Sequence, residues 1–233
     1  MSPHQEAVIG LVYGHGDAGL SRPRLIWLLW ESDEQSATRH RFSQLLYGIN
    51  RNIGAESIFS VQGDRVLPNS SRVESDLTVF DRLLREECVA DAAAMIARGF
   101  LTRLRAASNR EYEDWKTSRA ATFRSRLRDV AATVWSDAES VGDWSRARAA
   151  AETLLALDPD SESYLRCVMK ARALSGSPEA AEAAYRAWME NGSTLDGGSE
   201  ASTRALLDRV MKWTVTQRAP ERDRLRGCDK ISD

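Results

Sequence analysis

The chain is short of most things that would assign it a chemistry. Cys88, Cys167 and Cys228 stand far apart in 233 residues, odd in number and outside any metal-ligand spacing. They read as free thiols of a reducing compartment. No apolar run approaches membrane-spanning length, and no charged start leads into an apolar core and a small-residue cleavage site. The expectation is a cytoplasmic protein with no membrane partner. A basic excess is also missing: 32 Lys and Arg stand against 34 Asp and Glu, a formal net charge of −2. That excludes a globally basic DNA-coating protein and leaves room for a local basic surface. There is no Gly-rich phosphate loop, nucleophile elbow or metal cluster, so neither an enzyme nor a cofactor is expected. His15 and His40 lack Cys or carboxylate partners at ligand spacing and read as a turn and a surface histidine. Sparse lysine beside abundant arginine and alanine is the usage of a GC-rich bacterial genome.

One absence is local. No Asp or Glu occurs between Glu34 and Glu56, although both signs of charge are spread through the rest of the chain. Within that gap, Phe42, Leu46, Ile49 and Ile53 recur at helical spacing, with Leu45 widening the stripe. The spacing predicts an amphipathic helix over 37–53, stopped at Gly54. Its other face carries Arg39, His40, Ser43, Gln44, Tyr47, Asn50 and Arg51. An acid-free face of this kind suits a polyanion: Arg donates twice to guanine, and Asn or Gln bonds adenine twice. The plain alternative is a solvated surface helix that happens to lack acids.

The neighbours on either side narrow the choice. Met1 to Gln5 reads as a polar lead, and Ala7 to Tyr13 as an apolar run that fits helix or strand equally. Gly14 to Gly19 is a turn-rich break. Ser21 caps a short helix with Pro23 in its first turn, Leu25, Leu28 and Leu29 on its apolar face, and Trp30 at its end. A polar loop follows, in which Asp33 or Ser36 caps the longer helix. Ser57–Val61 and Val66-Leu67 flank Gln62-Gly63-Asp64-Arg65, a β-hairpin with Arg65 at its tip and Pro68 ending its second strand. Helix, turn, helix, loop, longer helix, hairpin is the order of a winged helix-turn-helix, whose third helix enters the major groove.

From Asp76 onward the pattern is helical: Asp76–Glu87, Ala90–Ala97 closed by Gly99, a long stretch over Asn109–Val141, then Asp143–Leu157, Asp160–Leu174, Pro178–Met189 and Ser202–Val215. Pro220 to Asp233 is a polar, mixed-charge tail. An internal repeat runs through this half. Gly142-Asp143-Trp144 and Gly176-Ser177-Pro178 lie 34 residues apart, and at that offset Ala147, Ala149 and Ala150 match Ala181, Ala183 and Ala184. The period is the tetratricopeptide one, in which small residues let paired helices approach and stacking buries faces that one pair cannot. Trp27 and Trp30 read as packing residues. Nine basic residues between Arg98 and Arg128 face only Glu111, Glu113 and Asp114, and read as the wet side of the long helix or a contact for DNA flanks or an acidic surface.

In this order the motifs resemble SARP-type transcriptional activators, a winged helix-turn-helix followed by a bacterial transcriptional activator domain. Leu25-Ile26-Trp27-Leu28-Leu29-Trp30 resembles the family's helix before the recognition helix. His40-Arg41-Phe42-Ser43-Gln44-Leu45-Leu46-Tyr47 with Gly54-Ala55 resembles the recognition helix, and Gly63-Asp64-Arg65-Val66 the wing. Asp76-Leu77 with Phe80, Gly99-Phe100-Leu101, Tyr112 with Trp115 and Arg119, Gly142-Asp143-Trp144 and Leu157-Asp158-Pro159 resemble segments of the second domain. The family's N-terminal β-sheet has no counterpart here, so a trimmed module, a truncated start or another element over the face of Ala7–Tyr13 is expected. Its recognition helices also hold more Arg near Gly48 to Asn52.

The resemblance implies a mainly α protein with a short β-hairpin wing. It implies a DNA-binding domain over 1–72, a tetratricopeptide-like helical domain over 73–217 and a flexible tail over 218–233. It implies double-stranded DNA as partner, contacted by Arg39, His40, Ser43, Gln44, Tyr47, Asn50, Arg51 and Arg65, with RNA polymerase or a second copy of the chain on the helical domain. The competing reading is a protein-interaction module whose winged helix has lost its DNA role.

Overall fold

The structure, a computed structural model, describes residues 1–31, 36–53, 57–99, 110–175, 178–190, 202–210 and 212. It is mainly helical with one small antiparallel sheet. The chain divides into two compact units, residues 1–127 and 128–233.

The first unit opens with α1 (Pro3–Gly14). The expected polar lead is this helix's start. Ser2 Oγ accepts from Gln5 N while Gln5 Oε1 accepts from Ser2 N at 2.8 Å, a reciprocal capping box that satisfies two orphan donors. Ala7, Val8, Leu11 and Val12 are fully buried, so the open choice between helix and strand resolves as helix. A single 3-10 turn (Gly16–Ala18) leads into β1 (Leu20–Ser21), a strand the sequence did not suggest. Gly19 makes the join. Its φ is +50°, and a Cβ there would stand 2.1 Å from the Val66 carbonyl oxygen, so only glycine fits.

Ser21 then caps α2 (Arg22–Trp30), accepting from Arg24 N, with Pro23 in the first turn. Next come α3 (Ser36–Ile53), β2 (Phe59–Gln62) and β3 (Arg65–Pro68), the last two joined through Gly63-Asp64. The sheet order is β1-β3-β2, with Leu20 opposite Val66 and Gln62 opposite Arg65. That order and connectivity are those of a winged helix-turn-helix. Tyr13 Oη donates to the Ile58 carbonyl at 2.8 Å and pins α1 to the foot of the wing.

The unit continues through α4 (Asp76–Arg85), α5 (Val89–Ala97) and the first half of α6 (Arg110–Val141). The expected boundary after residue 72 is not where the compact units divide. The reason is visible in side chains. Phe80 of α4 meets Phe123 of α6 edge to face at 5.3 Å. Trp115 of α6 stacks on His15 at 5.4 Å, and Glu111 of α6 accepts from Trp27 Nε1 of α2 at 2.9 Å. These contacts tie residues far beyond 72 to the winged helix.

The second unit holds the rest of α6, then α7 (Trp144–Leu157), α8 (Glu162–Leu174), α9 (Pro178–Glu190) and a helical segment over 202–210. α7 packs on α8 and α8 on α9, as the tetratricopeptide-like repeat requires. Asp143 caps α7 by accepting from Arg146 N at 3.1 Å. Ala147 and Ala181, the first matched pair of the repeat, are both fully buried. Ala147 sits with Ala138 and Ala171 beneath Trp135 and Trp144, and Ala181 with Leu165, Met169 and Trp188. Gly176 and Ser177 of the repeat, the Asp33 cap, the Gly54 stop, Phe100-Leu101 and the tail lie outside the described residues.

Candidate nucleic-acid interface

The acid gap of the sequence becomes α3, 18 residues with no carboxylate. Phe42 and Ile49 of its apolar stripe are buried, and Leu45 and Leu46 are half-buried. Ile53 is the exception. It is 46% exposed at the helix end, where it borders a cavity of about 640 Å³ with Ile9, Tyr13 and Met95. Gly48, in the middle of the helix, costs it ~1 kcal/mol against alanine in propensity. A Cβ at that position would meet Gln5 Nε2 of α1 at 2.8 Å, so its small size admits α1's capping side chain.

Opposite that stripe, Arg39, His40, Ser43, Gln44, Tyr47 and Arg51 are exposed, Tyr47 to 70%. Their steps of three and four residues stack them along one side of the helix. Ser43 Oγ donates to the Arg39 carbonyl at 3.0 Å, and Gln44 Nε2 lies 2.9 Å from His40 Nε2. The amide nitrogen can only donate in that contact, so the imidazole nitrogen accepts. Gln44 keeps its carbonyl oxygen for other partners. The face can therefore offer a guanidinium, an amide, hydroxyls and an imidazole to one groove, with no carboxylate of its own helix to repel a phosphate.

Two of the predicted contacts point elsewhere. Asn50 is half-buried and its Oδ1 accepts from Ser57 Oγ at 3.2 Å, a tie between the end of α3 and the start of the wing. Arg65 lies beside the turn rather than at its apex, which is Gly63-Asp64. Its Nε donates to the Ala18 carbonyl at 3.2 Å and its Nη2 to the carbonyls of Ala18 and Gly19. It holds the wing to the turn before β1.

One cation of α3 was missed. Arg41 is exposed and lies over the Trp30 ring, 4.7 Å from its centroid. Arginine favours such stacking, but nothing in the sequence says which of seven tryptophans it meets. His15, read as a turn histidine, is the C-cap of α1. Its Nδ1 is 2.7 Å from the Leu11 carbonyl oxygen, and burial holds its pKa below the ordinary 6.5. Among the described residues no three His, Cys, Asp or Glu side chains gather as metal ligands. No helix among them is long and apolar enough to cross a membrane.

No protein-family model matches the sequence, and no curated protein does. Among solved structures, the chain is similar to Mycobacterium tuberculosis EmbR in complex with a low affinity phosphopeptide. The identity is 18% over 91% of this chain, with a TM-score of 0.49, and the chain spans 60% of that protein.

Proposed function

We propose that this protein is a DNA-binding transcriptional regulator, an activator of the SARP kind, that reads the major groove with α3. The observation that carries the reading is the exposed, acid-free face of α3 within a winged helix-turn-helix. Ser43, Gln44, Tyr47 and Arg51 face base edges and nearby phosphates, with Arg39 and His40 at the helix start beside the backbone. Each good bidentate base contact discriminates by ~1–3 kcal/mol. The phosphate contacts add affinity that is blind to sequence and falls with salt. The work is positioning and recruitment, with no bond made or broken. The helical repeats, residues 73–217 in the sequence reading, serve a second copy of the chain or RNA polymerase. A regulator of this kind acts in the cytoplasm.

Band-shift or anisotropy titration with duplex DNA from upstream of the protein's own operon tests the reading. Binding that weakens with salt and collapses in the Gln44→Glu, Arg51→Glu double variant is the expected result. Equal affinity in that variant removes this face from the mechanism. A second reading, a helical interaction module with a retired winged helix, is favoured by the inward ties of Asn50 and Arg65. Failure of the full chain to bind any duplex at low salt selects it.

A further inference from the structure

The cavity beside Ile53 plays no part in reading DNA. It holds about 640 Å³ within the first unit, inside the ~300–1,000 Å³ range of small-molecule sites. Four helices and the foot of the wing build it. α1 brings Ile9, the end of α3 brings Ile53, and the wing brings Ile58. The approach to α4 and its first turn bring Val73 and Leu77, and α5 brings Met95. The bond from Tyr13 Oη to the Ile58 carbonyl ties two of these walls together, so part of the cavity is preformed. Ile53 leaves 46% of its surface in water there, apolar area that a bound apolar body would cover.

The charged side chains on the wall are uneven in sign. Glu6 in the first turn of α1 and Asp76 in the first turn of α4 are carboxylates. Exposed Arg98, the C-cap of α5, is the one basic side chain among the described lining residues. No ion pair among the described residues engages any of the three. Asp76 Oδ1 accepts from Leu77 N at 3.0 Å, a bond within its own turn. Desolvation holds that carboxyl above its ordinary 3.8, against the pull of the backbone bond from Leu77. The Ser75 hydroxyl accepts from Thr78 N at 3.1 Å, so the start of α4 is already capped from within the chain. An anion entering here finds one guanidinium set against two carboxylates. A cation finds two carboxylates without a counter-ion, and charges withdrawn from water are stable when paired.

We propose that this cavity binds a small organic cation, an amine carried on an apolar body. The body lies among the three isoleucines, Val73, Leu77 and Met95, and the ammonium meets Glu6 and Asp76. The site uses none of the polar residues of α3 and so goes beyond the DNA-binding reading.

The test is isothermal titration calorimetry of the full chain at pH 7 with three probes that share one ring system. Naphthylethylamine is the cation, naphthylethanol the neutral form and naphthylacetate the anion. The amine is expected to bind about tenfold or more tighter than the alcohol, the scale of hydrogen bonds to charged groups, with the anion weakest. Glu6→Gln and Asp76→Asn keep the side-chain shape and remove one charge each. Each is expected to weaken the amine about tenfold and to leave the alcohol within about twofold. Ile53→Lys, at a half-exposed position, sets a cation on the wall and is expected to abolish amine binding while the urea midpoint shows the chain still folded. Equal affinities for amine and alcohol, or amine binding unchanged in both carboxamide variants, overturn the cation assignment. Tightest binding by naphthylacetate overturns it in favour of Arg98. No heat from any probe at millimolar concentration overturns the site altogether. Each of these outcomes leaves the duplex titrations, and the reading they test, untouched.

Discussion

Two regions of the molecule, the second unit and helix α3 of the first, use basic side chains in opposite ways, whereas elsewhere in the first unit Arg82 answers Glu74 and Arg126 answers Asp81. In the second unit, basic side chains answer acids. Arg172 Nη2 is 2.8 Å from Glu152 Oε1, Arg186 Nη2 is 2.7 Å from Glu182 Oε1, and Lys170 meets Glu139. In the first, α3 carries Arg39, Arg41 and Arg51 with no acid anywhere along it. The chain as a whole is nearly neutral, so the asymmetry is one of placement. Paired charges on the repeats orient helices and leave a surface of mixed sign. A positive face without acids creates a local field, and a field of one sign selects a partner of the other. The contrast fails if both surfaces respond alike to charge reversal.

The sharpest way to break it is the Gln44→Glu, Arg51→Glu variant, which adds two negative charges to the face, removes one positive charge and removes two donors. Duplex affinity at low salt is expected to fall on the order of a hundredfold or more. The matching reversal in the second unit, Arg186→Glu, is expected to leave duplex affinity within a factor of about two, because exposed pairs contribute little. Equal losses in anisotropy titrations of the two variants would mean that net charge, and not the α3 face, drives binding.

What was legible beforehand follows the same line. Local patterns read well. Ser21, the stripe through Phe42 and Ile49, the Gly63-Asp64 turn and the buried alanines of the repeat each depend on residues a few positions apart. Features that depend on distant partners did not read. β1 is two residues long and exists because Leu20 finds Val66 across the sheet. Arg65 looked like a wing-tip contact because sequence shows its charge and hides the carbonyls of Ala18 and Gly19 that claim it. Asn50 lay on the polar side of the helical wheel, yet Ser57 lies close enough to take it. The α1 cap was the one local miss. Ser2-Pro3-His4-Gln5 is a capping box with proline at the first helical position, and its polarity disguised it as a lead.

A middle-sized effect separates packing from charge inside the repeat. Ala147 is fully buried against Ala138 and Ala171, whereas Ala183, matched to Ala149 by the same offset, is exposed. Ala147→Leu is expected to destabilise by ~1–3 kcal/mol through overpacking. Ala183→Leu is expected to change stability by less than about 0.5 kcal/mol. Urea midpoints of the two variants decide whether the 34-residue register is a packing register. Similar losses at both positions would dissolve it.

The smallest expected effect probes the place where the first unit resembles the second. Glu111 of α6 accepts from Arg24 and, at 2.9 Å, from Trp27 Nε1, both on α2. The hydrogen bonds from Arg24 and then Trp27 hold the Glu111 carboxyl below its ordinary 4.5. A carboxylate whose folded pKa is depressed stabilises the fold above the unfolded pKa, and that contribution drains away as pH falls through the folded value. The wild-type chain should therefore lose more stability between pH 7 and pH 3 than Glu111→Gln, whose amide oxygen still accepts and has no charge to lose. The pair is exposed and screened, so the difference is small and vanishes in high salt. Urea midpoints at the two pH values, with and without salt, read it directly. Parallel shifts in both chains would mean that α6 is held to the winged helix by Trp115 on His15 and by the Phe80–Phe123 contact, with the ion pair a bystander.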